Sequence, residues 1–342
     1  MQNNKKIVWL LILQGWAMLW VVIGHAGPAN TLDEYPPYAL TLWNFAYSFH
    51  MQLFISISGF LFYLTRLNSS KWSYWPMLKE KLIRFGIPFI VWTFFAMVLK
   101  SVFSSEVERP TSISLGEFVN AIIYPYNGPM REFWFLGVLF WMFAFFPIWK
   151  LLLKNSFSII LTSVLLILFY FNYPNTDLLA LNHVSVHASF FWWGILAAKC
   201  YDSLYIQKSG NSEFCSSFVK NTNWIGLVTL FFLSCLIYYW SVEFSYPYIS
   251  AIGGILLSLC LCLAVYKLSP NIFVSFRNYT YQIYLLGLFA QEFVKLIRYK
   301  MDLPFLPVYV LSVLAGLYIP VIISLIVEKT NLKSLKLCIG LK

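Results

Sequence analysis

The sequence predicts an all-α polytopic membrane protein of about ten transmembrane helices, both termini cytoplasmic, forming a single integral membrane domain over residues 1–342. Three observations predict it. Hydrophobic residues make up 60% of the chain and charged ones only 11%, a balance that soluble globular domains do not have. Apolar runs near the length needed to cross a bilayer recur from one end to the other. The basic residues fall unevenly between the segments that connect those runs.

The runs lie at about 7–25, 45–65, 84–103, 133–149, 156–173, 184–199, 223–241, 248–266, 278–296 and 304–327. The first follows Lys5 and Lys6 as a signal peptide would, but its apolar stretch is long. His25 and Pro28 interrupt the small-residue cluster Ala26, Gly27 and Ala29, so it is expected to stay as a helix. The second carries Ser48, Gln52, Ser56 and Gly59 at helical spacing. This stripe is expected to be a packing face, with His50 pointing away from it. Prolines 88, 147 and 320 are expected to kink the third, fourth and last helices. Residues 104–132 form the longest outward loop and residues 200–222 the longest inward one.

Orientation follows from Lys and Arg. With a cytoplasmic N-terminus, Lys100, Arg109, Arg131, Lys295, Arg298 and Lys300 face outward, and the other 18 of the 24 basic residues face inward. The net charge of +10 then reads as topology plus attraction to anionic headgroups, with membrane lipid as a partner and no nucleic acid. Cys200, Cys215 and Cys338 fall inward and Cys235, Cys260 and Cys262 lie within spans, so no disulfide framework is indicated.

The chemistry-bearing residues are the four histidines. On this topology His25, His50, His183 and His187 all fall toward the outward half, joined by Arg131 and Glu132 before the fourth span. If the helices pack together, these groups face one outward cavity. Eleven residues at 100° each bring Gln14 onto the same face as His25, roughly 16 Å away along the axis. His183 and His187 are spaced to share a metal but have no third ligand, so no metal is expected. On the inward side, Lys79, Lys81 and Arg84 form a basic cluster suited to phosphate.

Five stretches, in order along the chain, carry a family resemblance: LQGWAMLWVVIGHAG (13–27), FHMQLFISISGFLF (49–62), KLIRFGIPFIVW (81–92), EFWFLGVLF (132–140) and NYTYQIYLLG (278–287). Through them the chain resembles the membrane-bound acyltransferase-3 proteins, particularly the group related to fucose O-acetylases of bacterial polysaccharide pathways. The resemblance implies transfer of an acyl group, usually acetyl from acetyl-CoA as co-substrate with no bound cofactor, to a carbohydrate hydroxyl at the bacterial cytoplasmic membrane. The acceptor is then a lipid-linked or polymeric surface glycan. By this resemblance His25 closes the family's Arg-x10-His signature, and Arg84 gains weight from its Arg-x3-Pro context. Two positions depart from the pattern: Gln14 stands where the family has arginine, and Gly287 where it often has histidine after IYLL.

A sugar hydroxyl is a poor nucleophile at neutral pH, and a neutral imidazole in hydrogen-bonding reach can take its proton as it attacks a thioester. His25 is the expected base. Glu132 is expected to orient an imidazole or the acceptor, Arg131 to steady the oxyanion, and Gln14, His50 and Arg84 to contribute to donor or substrate binding. The rival readings are a lipid-linked glycan transporter, for which ten helices with a polar midplane also serve, and a polysaccharide polymerase.

Overall fold

The computed structural model describes residues 7–27, 34–68, 73–105, 109–173, 176–206 and 223–341. Cys215 and the basic residues Lys5, Lys6, Lys71, Lys208, Lys220 and Lys342, all expected to face inward, lie outside them. The described chain is all-helical. In order its helices are α1 (Val8–His25), α2 (Pro37–Phe62), α3 (Tyr74–Val102), α4 (Leu115–Ile123), α5 (Trp134–Ala144), α6 (Phe146–Leu152) and α7 (Ser156–Phe171). They are followed by α8 (Leu181–Tyr201), α9 (Trp224–Glu243), α10 (Pro247–Leu268), α11 (Thr280–Met301), α12 (Phe305–Lys329) and the short α13 (Lys333–Cys338).

Each of the ten expected spans coincides with a helix or a helix pair. Among the described residues, six helices are long and apolar enough to cross a membrane: α1, α2 with its π-helical extension to Leu67, α3, α9, α10 and α12. The α5–α6 pair, bent by 55° at its break, makes a seventh when counted as one span. Pro147 in the first turn of α6 explains that break, because its ring cannot continue the hydrogen-bond ladder of the preceding helix. α7 has only 16 residues, while α8 and α11 have span length but interrupt their apolar sequence with polar side chains such as Asn182, Gln291 and Glu292. The protein is a multi-pass membrane protein.

Two helices begin earlier than the apolar runs suggest. α2 starts at Pro37, where a missing N–H costs nothing in the first turn, and this puts His50 in mid-helix. α3 starts at Tyr74, because a helix can extend beyond its apolar run through Lys79, Glu80 and Lys81. The expected loop 104–132 also contains helix: Ser114 caps α4 by accepting from the Glu117 N–H at 3.1 Å, and the Glu117 carboxylate accepts from the Ser112 hydroxyl at 2.9 Å.

The chain divides into two compact units. The first comprises Met1–Ile57 and Cys200–Ile326 and the second Ser58–Lys199 and Val327–Lys342. In the first, α1 packs on α10 and α11, and α9 and α10 form a hairpin through a turn in which Ser245 adopts φ 57°. Close approach depends on glycine. A Cβ at Gly253 would stand 3.0 Å from the Tyr238 nitrogen of α9, and one at Gly254 would stand 2.6 Å from Phe49 of α2. In the second unit α3 packs on α5, and Phe62, Phe143, Phe146, Phe191 and Trp149 form an aromatic core. The Trp92 indole of α3 donates to the Cys338 carbonyl at 2.8 Å and ties the C-terminal helix to that unit.

Candidate active site

His25 is the last residue of α1, where the final carbonyls of a helix have no intrahelical partner. Two side chains supply partners here. Gln291 of α11, 1% exposed, donates to the Val22 carbonyl at 2.8 Å, and the Tyr309 hydroxyl of α12 donates to that of Ile23 at 2.9 Å. Gly24 brings this end of α1 against α2, since a Cβ there would stand 3.2 Å from the Tyr47 ring and 3.4 Å from Ala46. The backbone that carries His25 is thus held from three helices.

The ring of His25, itself partly exposed, meets Tyr47 and His50 of α2. Its Nδ1 is 3.2 Å from the Tyr47 hydroxyl, and its ring centroid is 6.3 Å from that of His50, with the rings perpendicular. Tyr47 lies edge-on to His50 at 5.1 Å and stacks on Trp43 at 4.3 Å. His50 is 1% exposed, and its Nδ1–H donates to the Ala46 carbonyl at 2.5 Å. That bond fixes the tautomer of a neutral ring and leaves the lone pair on Nε2. Lys295 and Glu292 of α11 pair at 2.9 Å.

The expected packing stripe on α2 is therefore only part of its buried surface. Gly59 lies against the Phe191 backbone, and the Ser48 hydroxyl is 3.2 Å from that of Tyr238. The most buried face is the one shared by Ala46, Phe49, His50, Leu53 and Ile57, so His50 points away from the stripe, as expected, and into packing.

Three turns back from His25, near the middle of α1, Gln14 is partly buried. Its neighbour Gly15 gives the Phe273 and Arg277 side chains room: an added Cβ would stand 3.0 Å from the Arg277 Cβ. Arg277 is 8% exposed, and its Nη1 donates to the carbonyls of Pro270 at 2.8 Å and Ile272 at 2.9 Å.

The second unit has its own histidine cluster. His183 and His187, one turn apart in α8, lie nearly parallel to the Trp134 indole at the start of α5, with centroids 4.4 and 5.0 Å away. His183 Nε2 is 3.8 Å from Asp177 Oδ1, and Asp177 Oδ2 accepts from the Tyr126 N–H at 3.2 Å. Burial raises the Asp177 carboxyl above the ordinary carboxylate range, only partly offset by that N–H. Arg131 lies over the Tyr126 ring at 4.9 Å. Glu132 stands beside it in the turn Arg131–Phe133, and Asp177 faces the His183 imidazole.

The basic cluster of Lys79, Lys81 and Arg84 also belongs to the second unit. Lys81 is buried with its ammonium 4.0 Å from the centre of the Phe143 ring, held by an aromatic face, whereas Lys79 is exposed. Arg66 pairs with Glu80 at 3.1 Å, and Arg84 is near enough for its charge to act on Arg66.

The acyltransferase domain family (Acyl_transf_3) matches residues 7–325, which takes in α1 and nearly all of α12. The chain belongs to the acyltransferase 3 family. It is a membrane acyltransferase, and an acyl donor and an acceptor are its substrates. No curated protein and no solved structure matches it.

For this acyltransferase the structure explains one departure from the expected pattern. A Cβ at Gly287 would stand 2.7 Å from the Gly316 carbonyl oxygen of α12, and one at Gly316 would stand 2.9 Å from the Gln291 side chain. A histidine at 287 has no room where α11 and α12 approach so closely. The polar contact in this region comes one turn later, from Gln291 to the end of α1. Sequence reading missed Tyr47, Gln291, Tyr309 and Asp177. The i, i+3 spacing of Tyr47 and His50 was the one local signal, because it puts both on one helix face.

Proposed function

We propose that the protein is an O-acyltransferase, specifically an O-acetyltransferase, that moves the acyl group of acetyl-CoA to a sugar hydroxyl of a lipid-linked or polymeric bacterial surface glycan. It does so in the bacterial cytoplasmic membrane, with both termini cytoplasmic. The observation that carries this reading is the His25 imidazole, fixed at the end of α1 by Gln291 and Tyr309 and hydrogen-bonded to Tyr47, in a chain of this family.

With His25 Nδ1–H donating to the Tyr47 oxygen, Nε2 carries the lone pair that a general base needs. The acceptor hydroxyl gives its proton to Nε2 as its oxygen attacks the thioester carbonyl. The tetrahedral intermediate collapses with cleavage of the carbon–sulfur bond, and the imidazolium returns the proton to the departing thiolate. Ester and free CoA result, and His25 is neutral again. Perpendicular and buried, His50 sets the position of Tyr47 and hence of His25. Arg84, with Arg66 beside it, is suited to the phosphates of the donor, Gln14 to its acyl arm, and Arg131 and Glu132 to the acceptor.

The test incubates purified protein in lipid nanodiscs with acetyl-CoA labelled in the acetyl group and glycan extracted from the native strain. Label in alkali-labile ester on the glycan, with one CoA released per ester, is the expected result. Glycan movement or chain growth with no ester formed would favour a transporter or a polymerase.

A further inference from the structure

The residues just before α8 are held in an unusual conformation. Leu179 and Ala180 both have positive φ, 52° and 60°, although neither is glycine. Such backbone persists only when its surroundings hold it, and here they do. The Trp141 indole donates to the Leu179 carbonyl at 3.1 Å, and Ala180 is completely buried. The consequence is the placement of Asp177, immediately upstream, over the first turn of α8.

There two polar atoms face each other without meeting. Asp177 Oδ1 and His183 Nε2 are 3.8 Å apart, beyond hydrogen-bond reach, and both are buried with no hydrogen-bond partner among the described residues. Their other contacts are made: Asp177 Oδ2 is held by the Tyr126 N–H, and the His183 ring is flanked by Trp134 and Tyr126, at 4.4 and 5.0 Å. Buried polar atoms are nearly always paired, so this facing pair calls for a third group. An oxygen about 2.8 Å from each atom would bond both, at an angle near 85°. It must donate to the carboxylate and accept from the imidazole N–H through one atom, which a hydroxyl does.

We propose that Asp177 and His183 form a subsite that binds a hydroxyl of a carbohydrate, in a setting walled by the rings of Tyr126 and Trp134 that flank His183. It rests on the reading of the acceptor as a glycan and gives that acceptor a binding place in the second unit. Arg131, over Tyr126, adds donors at the rim. Both side chains keep an edge at the surface, 13% exposed for Asp177 and 20% for His183, and the incoming hydroxyl turns the Asp177 carboxylate about its one bond to Tyr126.

The experiment is saturation-transfer NMR on detergent-solubilised full-length protein, with methyl glycosides of glucose, galactose, rhamnose, fucose and N-acetylglucosamine as probes and no acyl donor. At least one probe is expected to show transfer to its ring protons. That signal should fall at least about tenfold in Asp177→Asn, which keeps the shape but replaces the facing acceptor by a donor. It should fall similarly in His183→Phe, which keeps the stacked ring but removes the nitrogen. His25→Gln is expected to retain it. No signal with any probe, or a signal unchanged in His183→Phe, overturns the proposal, and the second result decides the matter even when Asp177→Asn does not fold. Binding is measured apart from turnover. Subsite-dependent binding without ester formation would count against the O-acyl reading alone, and ester formation with Asp177 and His183 irrelevant to binding would count against the subsite alone.

Discussion

The two histidine pairs look alike in sequence, each opening or closing an apolar segment, yet they are held in different ways. In the first unit His25 and His50 are fixed through their nitrogens, by the Tyr47 hydroxyl and by the Ala46 carbonyl, on a backbone that Gln291 and Tyr309 brace. In the second unit His183 and His187 both stack on Trp134, and His183 Nε2 looks across 3.8 Å at a carboxylate. A ring whose Nδ1–H meets a carbonyl, as in His50, has a defined tautomer, and one whose Nδ1–H donates to the Tyr47 hydroxyl, the arrangement proposed for His25, keeps its lone pair on Nε2 as a proton acceptor requires. A ring held by stacking is a wall with a polar edge, which suits recognition. What holds the ring, more than its depth in the membrane, separates a candidate base from a candidate binding residue.

Ways to break this comparison begin with the packing that supports the first pair. Gly287→His restores the residue often found in the family but drives a side chain into the Gly316 carbonyl. The expected result is loss of most correctly folded protein, from overpacking that costs about 1–3 kcal/mol or more at a helix crossing. Size-exclusion profiles and thermal unfolding in detergent check this, and a well-folded, more active variant would contradict the account of α11 and α12.

Next in size is the support of the ring itself. His50→Phe keeps a buried ring of similar volume but loses the Ala46 bond and the polar edge toward Tyr47. Turnover is expected to fall about 10-fold or more with little change in thermal stability. The matching change in the other unit, His187→Phe, keeps the stack on Trp134 and should cost less than about threefold. Equal losses would erase the distinction between the two pairs. Tyr47→Phe removes only the hydroxyl that meets His25 Nδ1, and about a threefold to tenfold drop in kcat is expected, with acceptor KM nearly unchanged.

The smallest effect concerns the middle of α1. Gln14→Arg restores the family signature, but the adjacent Gly15 packs on Arg277, a buried cation whose Nη1 is already engaged by two carbonyls. A second cation nearby is expected to lower activity or yield by about twofold to threefold. A rise in specific activity would mark Gln14 as a defect relieved by the charge.

Much of the fold was legible because the bilayer imposes its length and apolarity directly on the sequence, and all ten expected spans meet helices. The early start of α2 was not, because its first turns lack the unbroken apolar character of a span. Family membership and the importance of His25 were also legible, through local motifs. Its supports were not: Gln291 and Tyr309 lie 269 and 286 residues away in sequence from the carbonyls they bond, and no local pattern announces such a contact. Lys81 shows another long-range contact that spacing does not announce: its ammonium lies 4.0 Å from the centre of the Phe143 ring. Asp177 was invisible because a loop carboxylate gains meaning only from the strained turn that aims it at His183.

The most direct measurement compares wild type and His25→Gln, purified into the same nanodiscs, for transfer of labelled acetyl from acetyl-CoA to extracted glycan. The glutamine keeps hydrogen-bonding capacity at the end of α1 but cannot take a full proton. The account predicts ester formation by wild type and a loss of about 10²-fold or more in the variant, with insertion and unfolding temperature preserved. Near-normal ester formation by correctly inserted His25→Gln protein would contradict it.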